Sequence, residues 1–263
     1  VEYDFLAPPG LRGLYDFRHQ LLRDALYRSI PAPERRRIHA RVAEFGGQLE
    51  GSSEIHASVH FERAGLRAQA FRTALAGARA AAKLSSHREA FGLYRRALDN
   101  LPDNVAPEEH ARLLEAYADE AMAVDANDRA ERAYVVAGEG YRAAGLTLSA
   151  AFVVGSLTNA RRRLGHNVDD LIESLRPTLA ELATLPPDHE RERVRGSILH
   201  LLAFMQLTAG RIDEATATAT DAGRPARAIG DVALAQDVES TLGVAAVLSG
   251  RPEEGWLMLN SVM

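Results

Sequence analysis

The sequence predicts an all-α fold: a right-handed α-solenoid of about five to six helix pairs, with a period near 40 residues and a small β-hairpin at its N-terminal end. Three observations predict it. First, a polar turn followed by a helix start and a small residue recurs, as Ser85-Ser86-His87-Arg88-Glu89-Ala90, Asp125-Ala126-Asn127-Asp128-Arg129-Ala130, Gly210-Arg211-Ile212-Asp213-Glu214-Ala215 and Gly250-Arg251-Pro252-Glu253-Glu254-Gly255. Second, Ala90 and Ala130 are 40 residues apart, as are Ala215 and Gly255. Third, the apolar residues between these turns fall at helical spacing, with charges on the other positions.

Residues 1–17 differ from the rest. Val1–Leu6 and Leu14–Phe17 are short extended runs with aromatic residues, separated by Ala7-Pro8-Pro9-Gly10. Pro-Pro-Gly breaks the chain strongly, and a small hairpin is expected. Arg18–Ser29 then carries Leu21, Leu22, Ala25 and Leu26 as one apolar stripe, and Ile30-Pro31-Ala32-Pro33 ends it. A second helix starts near Pro33, with Glu34 in its first turn, where the macrodipole favours an acid. It carries Ile38, Val42, Phe45 and Leu49 on one face, and Gly46-Gly47 weakens its last turns. After the turn at Gly51-Ser52-Ser53, a third helix runs from about Glu54 to Ala64 and stops at Gly65.

From Leu66 onward the chain reads as helix pairs. First helices are expected near 66–84, 107–124, 147–164, 188–209 and 231–249, and their partners near 86–101, 128–144, 168–184, 211–229 and 251–263. Pro107-Glu108-Glu109 and Pro252-Glu253-Glu254 place proline in a first turn, where its missing N–H costs nothing, and acids after it. Pro102 and Pro186-Pro187 stop two of the second helices. Ala78, Ala118, Ala203 and Gly243 precede the turns at one fixed offset, and Ala90, Ala130 and Ala215 follow them at another. Small residues there let two helices cross closely. Tyr94 and Tyr134 lie four residues beyond the alanines and would fill the gap between pairs. The middle pair departs from this pattern, with Thr158, Asp170 and Pro177 where small residues are expected.

This order resembles the tetratricopeptide (TPR) repeat, best seen in Ala78, Ala90, Tyr94, Ala97 and Pro102. The period here exceeds the 34 residues typical of that repeat. The resemblance covers most of residues 66–263.

Composition excludes several function classes. The chain has 263 residues, 46% hydrophobic and 25% charged, which exceeds the usual single core. A net charge of −5 gives no broad attraction to nucleic acid or anionic membrane. There is no cysteine, so disulfides and thiolate metal sites are excluded, and a reducing, cytoplasmic setting is expected. No apolar run approaches the roughly 20 residues that span a bilayer. Both ends look cut, which predicts a piece of a larger protein; the faces so opened would allow self-association.

A second resemblance rests on residues 15–65. Tyr15-Asp16-Phe17-Arg18-His19-Gln20-Leu21-Leu22-Arg23-Asp24-Ala25-Leu26-Tyr27 is followed by Arg35-Arg36-Arg37-Ile38-His39-Ala40-Arg41-Val42-Ala43, then His56 and His60-Phe61-Glu62-Arg63-Ala64-Gly65. This order resembles the junction after the ATPase module in large LuxR-type transcription factors, maltose-regulator relatives and ATPase–cyclase hybrids, all STAND-type ATPases. The resemblance implies that residues 1–30 end a winged-helix-like subdomain, 31–65 form a linking helix pair and 66–263 are the repeats. It also implies a sensor of an inducer or partner (a protein, a peptide or a small molecule) coupled to its own ATPase module. The alternative is an interaction scaffold attached to a signalling enzyme such as an adenylate cyclase or kinase. The phosphate-loop motif and a helix-turn-helix are absent from this sequence, so ATP and DNA binding would belong to the parent protein, and no cofactor is expected here.

Candidate sites are few. His56 and His60 have the i, i+4 spacing of zinc ligands, but Ala57 stands where a metalloprotease helix needs glutamate and no third ligand is evident, so polar structural contacts are expected rather than a metal. Arg35-Arg36-Arg37 and Arg161-Arg162-Arg163 point in three directions on a helix, which predicts solvated faces. Asp169-Asp170 and Glu108-Glu109 sit at helix starts and answer the dipole. No nucleophile motif is present, so no catalytic residue is expected. In helical arrays the first helix of each pair lines the inner face. Counting back from each turn gives Arg72, Arg79, Arg112, Glu115, Asp119, Phe152, Asn159, Arg162, Ser197, His200 and Phe204 as a ligand-binding groove.

Overall fold

The computed structural model describes residues 6–7, 16–17, 19–46 and 54–261. Two short antiparallel strands, β1 (Leu6–Ala7) and β2 (Asp16–Phe17), pair Leu6 with Phe17 and Ala7 with Asp16. The rest of the expected hairpin, and the turn at Gly51-Ser52-Ser53, lie outside the described residues. Helices follow in order: α1 (Gln20–Ser29), α2 (Ala32–Gly46), α3 (Glu54–Ala64), α4 (Arg67–Lys83), α5 (His87–Asp99), α6 (Pro107–Ala123), α7 (Asn127–Ala143), α8 (Thr147–Arg163), α9 (Val168–Thr184), α10 (His189–Thr208), α11 (Ile212–Ile229), α12 (Val232–Leu248) and α13 (Pro252–Ser261). Each expected first or second helix is found within about three residues of its predicted bounds. Among the described residues, no helix is long and apolar enough to cross a membrane.

The chain divides into two compact units. Unit 1 holds the residues up to Ser85 with Gly92–Asp103; unit 2 holds Ser86–Phe91 with the residues from Asn104 on. In unit 1, α2 packs on α3 and α3 on α4. A chain of ring contacts joins its first helices. The Tyr27 hydroxyl lies 2.8 Å from His39 Nε2, and His39 Nδ1 lies 2.8 Å from His60 Nδ1. Further along, Arg96 Nε and Asn100 Nδ2 both donate to Glu62, at 3.1 and 3.0 Å.

Unit 2 has no single centre. One cluster of buried residues is shared by α6, α7 and α8, the next by α8, α9 and α10, and a third by α10, α11 and α12. The α8/α9 and α10/α11 pairs therefore each bury one side on the pair before and the other on the pair after, as a stacked repeat must. The small residues read from the sequence sit where the helices cross: Ala118, Ala130, Ala203 and Ala215 are fully buried. At the last pair both positions are glycine. A Cβ added at Gly255 would lie 2.5 Å from the Gly243 carbonyl oxygen, so the two backbones touch.

The turns share one geometry. The second residue after each first helix takes the left-handed conformation: Ser85 (φ 55°), Asp125 (φ 59°), Gly165 (φ 81°), Gly210 (φ 75°) and Gly250 (φ 81°). A helix closed by a left-handed residue satisfies its last carbonyls and reverses direction within three residues. The bonds that close it include Ala126 N–H to Ala121 O and Arg211 N–H to Gln206 O.

The middle pair corrects the sequence reading. Its turn, residues 164–167, has one residue more than the three-residue turns of the other pairs. The register of α9 is therefore shifted by one. Leu171, 3% exposed, takes the position held elsewhere by Ala130 and Ala215, and Asp170 is exposed. Likewise Thr178, not Pro177, is the buried residue two turns further on. Thr158 holds the small-residue position of α8 with its hydroxyl bonded to the Val154 carbonyl. The pair is not degenerate but offset.

Two stability changes follow from these contacts. Ser85 is exposed and its hydroxyl caps nothing, so Ser85→Gly removes left-handed strain and should raise the unfolding free energy by about 1 kcal/mol, read by chemical denaturation. Gly255→Ala drives a methyl group into the Gly243 backbone and should cost about 1–3 kcal/mol, with faster amide exchange along α13 than along α10.

Candidate functional site

The first helices of unit 2 present a face built from α6, α8, α10 and α12. On α10 the residues Arg193, Ser197, His200 and Phe204 recur every three or four positions and so share one stripe. On α8, Phe152, Ser156 and Asn159 do the same. Phe152 and Phe204 are 36% and 39% exposed, large aromatic surfaces left uncovered by the stack.

The two stripes interlock. The Arg162 guanidinium, from α8, sits 5.5 Å from the centre of the Phe204 ring on α10. The Arg193 guanidinium, from α10, sits 5.7 Å from the centre of the Phe152 ring on α8. Each helix gives one arginine and one phenylalanine to its neighbour. Arg162 is also fixed from its own helix, donating from Nε and Nη2 to Asn159 Oδ1 at 3.1 and 2.9 Å. Cation–π contact and a side-chain hydrogen bond together hold the guanidinium plane. Further along, His200 Nε2 lies 3.0 Å from Thr241 Oγ1. The threonine hydroxyl donates to the Asp237 carbonyl at 3.1 Å, so the imidazole donates to the threonine oxygen. Burial lowers the His200 pKa, outweighing the opposing pull of Asp237.

The α6 end has the opposite charge. Glu115 accepts from the Tyr141 hydroxyl, and Asp119 accepts from the Tyr134 hydroxyl at 2.6 Å. Burial is the main cause that raises both carboxyl pKa values; each tyrosine bond opposes it, and repulsion from a neighbouring carboxylate adds to it, from Asp119 on Glu115 and from Glu120 on Asp119. Burial, with the neighbouring carboxylate, also pushes both phenols above their ordinary range. Phe91 and Tyr117 stack beside this end at 5.0 Å, with Arg129 over Phe91.

The expected groove residues thus fall into three places. Arg72 and Arg79 are exposed on α4 in unit 1. Arg112 is exposed and paired with Glu108 of its own helix at 2.6 Å. Glu115, Asp119, Phe152, Asn159, Arg162, Ser197, His200 and Phe204 lie on the first helices of unit 2. Sequence reasoning missed Arg193, which its place four residues before Ser197 could have revealed. It also missed Thr241 and the two tyrosine hydroxyls, which come from other helices and carry no local signal.

The arginine triplets also differ from expectation. Arg36 and Arg37 are exposed, but Arg35 lies over the Tyr27 ring at 5.2 Å. Arg161 pairs with Glu131 at 2.9 Å, Arg162 with Asn159 and Phe204, and Arg163 with the Met122 carbonyl at 3.2 Å and Asp125 at 3.3 Å. The second triplet is an anchor to three partners, not a solvated face. Of the two histidines at zinc spacing, His60 faces His39, and the side chain of His56 lies outside the described residues. Among the described residues, no group of three or more histidine or carboxylate side chains is arranged to hold a metal.

No family model matches the chain, and no curated relative is found. Among solved structures, the chain is similar to the Rap conjugation gene regulator of the plasmid pLS20 in complex with the Phr* peptide, with a TM-score of 0.60 and 17% identity over 78% of this chain and 54% of that one. The chain therefore spans about half the length of that regulator. It is also similar to BtubC (BKLC) from P. vanneervenii, with a TM-score of 0.52 and 14% identity over 89% of this chain and 90% of that one. A Podosopora anserina protein of nearly identical TPR-like repeats matches with a TM-score of 0.56 and 17% identity over 73% of this chain and 92% of that one. The chain has a TPR-like helical-repeat fold. Its first-helix face is the surface that such a repeat turns toward one side, and here that face carries unsatisfied aromatic area beside fixed charges.

The raised carboxyl pKa of Asp119 has a sign that can be checked. The unfolded chain ionises first, so stability is fully present below the ordinary aspartate range and is lost as pH rises through the raised value. Asp119→Asn keeps an acceptor for the Tyr134 hydroxyl and removes the charge. It should leave stability unchanged in acid, raise it at pH 7 and flatten the profile between, as measured by thermal unfolding across pH.

Proposed function

We propose that this chain is the ligand- or partner-sensing repeat region of a nucleotide-dependent transcriptional regulator, and that it binds a peptide across the first-helix face of unit 2. The observation that carries the reading is the reciprocal pair of Phe152–Arg193 and Phe204–Arg162. Each places an exposed aromatic surface beside an oriented donor, the combination that interface hot spots use. Extended peptides suit it, because aromatic faces take side chains while Asn159 and Ser197 offer hydrogen bonds to a backbone. The likeness to a regulator solved with a bound peptide supports the same reading. The order of motifs in residues 15–65 supports the regulator assignment. In this reading residues 1–30 end a winged-helix-like subdomain, 31–65 link it to the repeats of 66–263, and a cytoplasmic parent protein supplies nucleotide and DNA binding. Peptide binding would then be relayed from the repeats to the ATPase module.

The face can be tested directly. Peptides enriched from a random library on the wild-type chain should bind the variant Phe152→Ala/Phe204→Ala at least about tenfold more weakly, the loss expected for two aromatic anchors. Both rings are partly exposed, so the variant should melt close to the wild-type temperature. Undiminished binding by the folded variant would overturn the placement of the site.

A further inference from the structure

Building on the peptide-binding reading, we infer that the α8–α10 face takes an extended acidic peptide segment whose two carboxylates stand about 15 Å apart. Arg162 and Arg193 are the recognition points. Among the described residues neither has a carboxylate partner, whereas Arg161, Arg163, Arg191 and Arg211 nearby are all ion-paired. Aromatic stacking covers a guanidinium face and leaves its N–H groups uncovered; Asn159 Oδ1 takes the Nε/Nη2 edge of Arg162, so the Nη1/Nη2 end is the one left for a ligand. A guanidinium held in this way presents its Nη1/Nη2 end in a fixed orientation for the two parallel hydrogen bonds of a carboxylate.

The spacing comes from the helices. Phe152, under Arg193, lies ten residues before Arg162 on α8, and Arg193 lies eleven before Phe204 on α10. At about 1.5 Å per residue the two guanidinium positions are about 15 Å apart along parallel first helices. An extended chain advances roughly 3.3 Å per residue and alternates its side chains, so two acids facing the same side would be four residues apart. Between them stand Asn159, whose Oδ1 is spent on Arg162 but whose amide N–H groups remain for a peptide carbonyl, and Ser197. The neighbouring α6 stretch carries Glu115 and Asp119, and the chain as a whole carries a net charge of −5. A continuous polyanion such as single-stranded RNA would run into those carboxylates. A short acidic segment, with neutral or basic residues continuing toward α6, would not.

The test uses short fluorescein-labelled peptides of alanine, serine and glycine that carry two glutamates four positions apart, with fluorescence anisotropy as the readout. Their glutamine counterpart, and a version with adjacent glutamates, should each bind about tenfold more weakly, the effect of one hydrogen bond to a charged group. Arg162→Gln and Arg193→Gln should each erase that advantage, with the melting temperature unchanged. Arg162→Lys, which keeps the charge without the fork, should recover only part of it and serves if a glutamine variant is unstable. Equal binding of glutamate and glutamine peptides, both weakened by Phe152→Ala/Phe204→Ala, would overturn the acidic ligand while leaving the peptide face in place. Binding undiminished by the double phenylalanine change would overturn the face as well. Binding of neither peptide, or displacement of the glutamate peptide by a single-stranded oligonucleotide more readily than by itself unlabelled, would also overturn the inference.

Discussion

The structure of unit 2 depends on how closely two helices can cross just before and just after each turn. Ala118 against Ala130, Ala203 against Ala215 and Gly243 against Gly255 hold these crossings to small side chains, all of them buried. A larger residue would push the axes apart and change the angle at which the next pair is laid down. Because each of the three described clusters of unit 2 is shared by three helices, an error at one crossing would pass to its neighbours. The offset middle pair shows how such a change is absorbed. A leucine is accommodated at 171 because the turn before it is longer by one residue and α9 enters in a shifted register.

Close, regular crossings are also what make a face. They bring the first helices side by side, so that a phenylalanine on one lies within reach of an arginine on the next. Glu115 is half-buried and Asp119 is exposed, yet the desolvation they meet beside their tyrosine partners raises both pKa values, an effect that the Tyr141 and Tyr134 hydroxyls partly offset. A fold built only for stability would not keep two partly desolvated carboxylates and two exposed phenylalanines on its first helices. Features of that kind cluster where a protein meets something else.

Much of this was legible in the chain. The helix bounds followed from turn chemistry, because a left-handed residue, a polar helix start and an early proline are local signals. The small crossing residues followed from the period. The register of α9 differs by one residue from the periodic count, because the count takes turns of equal length and the extra residue among Leu164, Gly165, His166 and Asn167 leaves no compositional trace. The Arg161-Arg162-Arg163 triplet reads as solvated because Glu131, Phe204, Met122 and Asp125 lie about 30 to 40 residues away along the chain; Asn159 alone is a local partner.

The sequence by itself determined the helical class, the pairing of helices and the residues at their crossings, since each rests on interactions within a turn or at a fixed period. Only the tertiary structure decided which charges are paired and which are left to face a ligand. Glu131 reaches Arg161, while Arg162, next to it, turns to Phe204 and meets no carboxylate. Adjacent residues on a helix point about 100° apart, so their partners lie on different neighbours, and which neighbours those are is set by the stacking of pairs and not by the local chain.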